Sequence, residues 1–175
     1  RSIDTLGRSH PDTLGAMNNM GFFHGSSGRF DLALPFHVEV LELSRKLLGN
    51  EHPDTLSAIG NLGFVLSELG RYEESEVLAR ETLATAQKLF GEIHPATVRA
   101  HSNLGALLQT TEKWEDAEVH TRAALAGYEE AVGPEHPGTI IARSNLGRLL
   151  AETDREELAE PIFVEVLAAQ TKVLG

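Results

Sequence analysis

The sequence predicts an all-α protein, a solenoid of stacked antiparallel helical hairpins, and three observations carry that prediction. The dipeptide His-Pro recurs at 10–11, 52–53, 94–95 and 136–137, always 42 residues apart. Whole columns of residues keep this register: Thr13, Thr55, Thr97 and Thr139; Asn19, Asn61, Asn103 and Asn145; Gly21, Gly63, Gly105 and Gly147; Leu41, Leu83, Leu125 and Leu167. Between the columns, apolar residues follow a helical period and not the alternation of a strand. A fixed period of this length marks a repeat architecture, in which no unit buries its apolar face alone and neighbours must stack.

The units follow in order along one array, 1–175. Residues 1–9 read as the tail of a preceding repeat, because RSIDTLG aligns with SRKLLG at the end of the first unit. The repeats are then 10–51, 52–93, 94–135 and 136–175. The first helix of each opens at His-Pro: proline is tolerated at the first helical position, where its missing N–H has no intrahelical partner, and the histidine falls at or near the N-cap. In the second unit Leu56, Ile59, Leu62, Val65 and Leu66 continue that helix, Gly70 breaks it, and Arg71-Tyr72 opens the second. Val77, Leu78, Leu83, Leu89 and Phe90 line the second helix up to Gly91, where glycine is expected in the left-handed C′ conformation. Small residues, the Gly21 column and the column Ala33, Ser75, Ala117 and Ala159, mark where the two helices approach closely. Pro35 and Pro161 fall early in second helices and are expected to bend the first turn without breaking it. The last helix, with Phe163, Val166, Leu167 and Val173, is expected to leave an apolar face open, a route to end-to-end self-association.

Composition narrows the function. The chain has 175 residues, 41% hydrophobic and 6% aromatic, with a formal charge of −11. An acidic surface repels nucleic acid and anionic membrane, so neither is an expected partner. There is no cysteine, which removes disulfides, thiolate metal sites and cysteine nucleophiles. No apolar run approaches a membrane span and no signal peptide opens the chain, so the expected location is cytoplasmic. The eye-catching histidines and threonines are repeat columns, whereas a catalytic triad needs unlike groups in unique positions. No phosphate loop, zinc-protease or nucleophile-elbow motif occurs. No enzyme activity, cofactor or metal is expected; a histidine ladder spaced by ~8–10 Å of helix packing cannot converge on one ion with ligands near ~2 Å. His24, His37, His101 and His120 lie off the ladder and read as surface or interface histidines.

The pattern G-x-x-H-P-x-T…N-L-G…G-R-Y-E-E-S-E…L…G, quoted mainly from the second unit, resembles the tetratricopeptide repeats of kinesin light chains and their relatives, whose unit is likewise 42 residues. The resemblance covers essentially the whole chain. It implies a right-handed superhelix in which the first helices line a concave groove for an extended peptide. It also implies that Asn19, Asn61, Asn103 and Asn145 face that groove and bond the peptide main chain. An amide offers both donor and acceptor, which suits that task. The alternative, in which each asparagine bonds within its own repeat, stays open.

Positions beside the asparagines vary between repeats, and variation on a fixed scaffold is where specificity resides. Phe22 and Phe64 make the first half apolar; Ser102, Arg99 and Arg148 make the second half polar and locally basic. The expected partner is a protein or peptide with an apolar segment and an acidic one, unless those arginines pair with Glu68 and Glu152. Phe30, Tyr72 and Trp114 share a column, replaced by Glu156 in the fourth repeat, and read as packing between hairpins. Two functions remain: a scaffold that binds a partner segment in its groove, or a structural spacer within a larger signalling protein.

Overall fold

The computed structural model describes residues 11–174, and among them it contains eight helices and no strand. These are α1 (Pro11–Ser26), α2 (Phe30–Leu48), α3 (Pro53–Glu68), α4 (Tyr72–Phe90), α5 (Pro95–Thr110), α6 (Trp114–Val132), α7 (Pro137–Glu152) and α8 (Glu156–Leu174). First helices are 16 residues and second helices 19, close enough in length to pair along their whole extent. The 1–9 tail, His10 and Gly175 lie outside the described residues.

Each start signal has a visible cause. His52, His94 and His136 hold extended backbone at the N-caps of α3, α5 and α7, with proline next in sequence. The Nδ1 of each accepts from the backbone N–H two residues on, at 3.1, 3.2 and 3.1 Å. One otherwise orphaned donor per helix is thereby satisfied. The threonine column is a second device of the same kind. Thr55, Thr97 and Thr139 are fully buried, and each hydroxyl donates at 2.7 Å to the carbonyl of Gly49, Gly91 or Gly133. The second, third and fourth repeats are each thus tied to the end of the one before.

Gly91 has a positive φ of 83, whereas two other closing glycines depart from the expected left-handed C′ geometry. Gly49 and Gly133 have φ 88 and 85 with ψ 168 and 169, an extended conformation at positive φ that is nearly glycine-only. It turns the chain straight out of the helix toward the next His-Pro. The left-handed turn lies elsewhere, between the two helices of each hairpin. Gly28 and Gly70 occupy it at φ 70 and 73, and Glu112 and Asp154 at φ 57 and 56.

The chain divides into two compact units, 1–85 and 86–175. In the first, α1 packs on α2 and α2 on α3. Met17, Val40, Leu41, Ala58, Ile59, Leu62 and Leu66 form the core, with Leu78 of α4 against it. In the second, α5 packs on α6, α6 on α7 and α7 on α8, and Leu146, Leu150 and Ala159 form a core with Leu125 and Ile162. The small column Ala33, Ser75, Ala117 and Ala159 is buried throughout.

The Gly21 column works less uniformly than backbone-to-backbone approach implies. A Cβ on Gly21 would lie 2.7 Å from His37 Nε2, one on Gly105 2.9 Å from Thr121 Oγ1, and one on Gly147 3.0 Å from the Phe163 ring. A side chain of the second helix fills the space in those three hairpins. At Gly63 the nearest atom is 3.6 Å away, and Ser75 Oγ donates to its carbonyl at 2.7 Å. Pro35 and Pro161 sit inside α2 and α8, which run through them unbroken.

Candidate functional site

The predicted site residues all lie on first helices, which carry them because those helices bury their Thr, Leu and Ala positions and leave the opposite face open. In the first unit Asn19 and Asn61 are exposed. Asn61 Nδ2 donates to Asn18 Oδ1 at 3.3 Å, a bond between neighbouring repeats and not within one hairpin. Phe22 and Phe64 are 73% and 57% exposed. Phe64 meets Phe30 edge to face at 5.9 Å between ring centres, so Phe30 packs against a neighbouring hairpin as its column suggested. An exposed pair of phenylalanines one repeat apart is apolar surface that folding leaves unspent.

In the second unit Asn103 and Arg99 are exposed, while Asn145 and Ser102 are half-buried. Ser102 and Asn145 share a small crevice with Gln109. Gln109 is buried; its Nε2 donates to Thr121 Oγ1 at 3.3 Å and its Oε1 accepts from Arg148 Nη2 at 3.4 Å. The structure therefore brings Ser102, Asn145 and Arg148 to one place through a glutamine. The sequence signal for it is a long amide in the register where the first repeat has Gly25.

The arginines separate into two kinds. Among the described residues Arg45 pairs with Glu81, Arg71 with Glu74, Arg80 with Glu76, Arg122 and Arg155 with Glu118, and Arg143 with Glu129. Burial alone would raise the Glu118 carboxyl, but Arg155 and Arg122 overcome it and hold the carboxyl below its usual range. Arg29 lies over the Phe23 ring. Arg99 and Arg148 have no carboxylate partner among the described residues. Glu152, one turn from Arg148 on α7, is exposed and unpaired with it.

Two histidines off the ladder are more interior than surface residues. His37 is buried and its pKa is lowered, burial outweighing a hydrogen bond with the Gly21 backbone. His101 is buried with its Nδ1 3.0 Å from His120 Nδ1, one ring donating and the other accepting. Its pKa is lowered by burial, against the nearby Glu92. The open face of α8 is also only partly as expected. Phe163 and Leu167 are exposed with Val164, but Val166 is buried, and the Val173 side chain lies outside the description. Among the described residues no three metal-binding side chains gather, and no helix is long and apolar enough to cross a membrane.

A tetratricopeptide repeat family model matches residues 12–88, 56–130 and 96–172. No curated protein matches significantly. Among solved structures, a putative kinesin light chain with nearly identical TPR-like repeats from Podosopora anserina superposes with a TM-score of 0.88 at 20% identity, over 99% of this chain and 82% of that one. BtubC (BKLC) from P. vanneervenii gives 0.87 at 22% identity, covering 98% and 69%. The apo form of RapI gives 0.85 at 13% identity, covering 98% and 60%. At these identities the likeness is one of fold.

Proposed function

The chain belongs to the tetratricopeptide repeat family, a family of protein-interaction scaffolds, and on that premise we propose that it is a non-catalytic scaffold holding an extended partner segment on the exposed faces of its first helices. The observation that supports this most is the unspent chemistry of those faces. In the first unit Asn19 and Asn61 are exposed on helices that also expose Phe22 and Phe64; in the second, Asn103 is exposed on a helix that also exposes Arg99, and Arg148 is exposed on α7, neither arginine paired with a described carboxylate. An amide bonds an extended main chain without reading its sequence, while the flanking side chains select it. On an acidic protein, guanidiniums left without carboxylates fit an acidic stretch of the partner, since Arg recognises carboxylates bidentately. The phenylalanines fit an apolar stretch.

A random peptide display library panned against the chain supplies ligands, whose affinities for variants are then read by fluorescence anisotropy. Asn61→Ala and Asn103→Ala are expected to weaken binding about 10-fold each, the worth of one hydrogen bond of ~1–1.5 kcal/mol, with unchanged helicity. Arg99→Glu with Arg148→Glu is expected to weaken peptides containing Asp or Glu more than those without. Enriched peptides that bind all variants equally remove the proposal.

A further inference from the structure

The repeats can be compared position by position, and at one place the two units differ in what fills the space. In the first unit a crevice of 470 Å³ opens between α1, α2 and α3. Its apolar wall is Leu14, Val40, Leu47 and Leu48, and the bonded pair Asn18 and Asn61 lies along it. Leu47 and Leu48 are both exposed, so their apolar surface faces the opening and not the core. The volume falls in the range of about 300–1,000 Å³ typical of ligand pockets.

The crevice is open because three of its positions are small: Gly15, Ser44 and Ser57. Two periods on, the same registers hold Arg99, Tyr128 and Ile141. The Tyr128 ring lies against the start of α7, its carbons 3.0 and 3.1 Å from where a Cβ on Gly138 would stand. Gly138 is the register of Asp54, which lines the first unit's crevice. In the second unit, then, an aromatic side chain of the chain itself occupies this space. In the first unit the ring is missing, and a carboxylate stands where the glycine receives it.

We propose that this crevice is an anchor pocket for one tyrosine-like side chain of the bound segment, its ring set back by a few tenths of an ångström from the position Tyr128 takes in the second unit, because Asp54 carries the Cβ that Gly138 lacks. The inference rests on the reading of the first-helix faces as a partner-binding surface and names the side chain that surface selects. The leucines bury the ring. Asp54, with its exposed side chain, accepts from the phenol O–H. The Asn18–Asn61 pair spends one donor and one acceptor on itself, leaving an amide hydrogen-bonding group on each residue for the ligand main chain beside the ring.

The test uses isotope-labelled chain titrated with N-acetyl-tyrosinamide, and with N-acetyl-alaninamide as control, read by amide chemical shifts. Saturable shifts are expected at Gly15, Ser44 and Ser57 with the tyrosine probe alone, with a Kd of about 1 mM, as a ligand of this size permits. Ser57→Ile and Gly15→Arg restore the second unit's residues at exposed positions, and a Cβ at Gly15 meets nothing within 4 Å. Each is expected to weaken the probe at least 10-fold without lowering the melting midpoint, which Gly15→Arg should raise by removing a glycine from the helix interior. Shifts that never saturate, or that saturate equally in both variants, overturn the pocket. Displayed peptides separate this failure from that of the binding face. Sensitivity to Asn61→Ala without sensitivity to Ser57→Ile leaves the face standing and the pocket overturned. Sensitivity to Ser57→Ile alone does the reverse.

Discussion

The hairpin turn shows how differently equivalent residues bear the same backbone. All four turns require positive φ, and two of them place it on a side-chain-bearing residue. An L-residue in this conformation costs roughly 1–2 kcal/mol, which glycine escapes. Aspartate at 154 is eased by its short polar side chain, and glutamate at 112 is not. Glu112→Gly is therefore expected to stabilise the protein by up to ~1 kcal/mol, raising the thermal midpoint by about 2–4 °C. Gly70→Ala should lower it by a similar amount. A calorimetric melt of each variant decides the matter, and a Glu112→Gly midpoint below that of the parent would contradict the strain. The turn was legible in the sequence as Gly70; that Glu112 and Asp154 fill the same role is visible from the period alone, but their strain is not.

Helix pairing tells a parallel story at the next scale. Four glycines share a column, yet their partners differ, because the second helices present His37, Leu78, Thr121 and Phe163 to them. Gly63 has ordinary contact distance to spare. Gly63→Ala is expected to stabilise by ~0.5–1 kcal/mol, the helix-propensity difference. Gly105→Ala drives a methyl to 2.9 Å from the Thr121 hydroxyl and 3.2 Å from its backbone nitrogen, so the helices must shift, at a cost of about 1–3 kcal/mol. Urea unfolding of the two variants should give midpoints displaced in opposite directions; equal displacement would mean that helix spacing does not depend on this column. Identity of residue type across repeats thus shows that a hairpin is built, but not how tightly each copy is built.

At the scale of the molecule the buried histidines set a pH response. An unfolded histidine takes its proton near pH 6.5, whereas His37 and His101 take theirs at lower pH, because burial disfavours the charged ring. Between those values the unfolded chain binds more protons, so their share of stability, full above about 6.5, falls with falling pH. Glu118 acts lower down: its pairing with Arg155 and Arg122 contributes above about pH 4.5 and is lost as pH falls through its depressed folded value. Self-repulsion from the net charge of −11 eases on the same path toward the isoelectric point, so the histidines are isolated by difference. The thermal midpoint of the parent should fall more steeply from pH 7.5 to 5.8 than that of the double variant His37→Gln, His101→Gln. Parallel slopes would show that these rings are not charged at the cost their burial implies.

The period by itself determined the helices, the caps, the positions of the closing glycines though not their conformation, and the fold class, because each depends on local chemistry that recurs every 42 residues: a proline at N1, a histidine before it, a threonine within reach of the preceding glycine carbonyl. The resemblance, and not the period, implied the role of Asn19, Asn61, Asn103 and Asn145, and the helical register then picked out the varying positions beside them. What only the tertiary structure decided depends on neighbours distant in sequence. Gln109 joins Arg148 to its surroundings across 39 residues, and Arg99 and Arg148 are left unpaired where six other described arginines are matched. The crevice beside Asn61 exists because Gly15, Ser44 and Ser57 meet in space. Local propensity and periodicity are written along the chain, whereas charge pairing and empty volume belong to three dimensions and to the particular side chains that packing brings together.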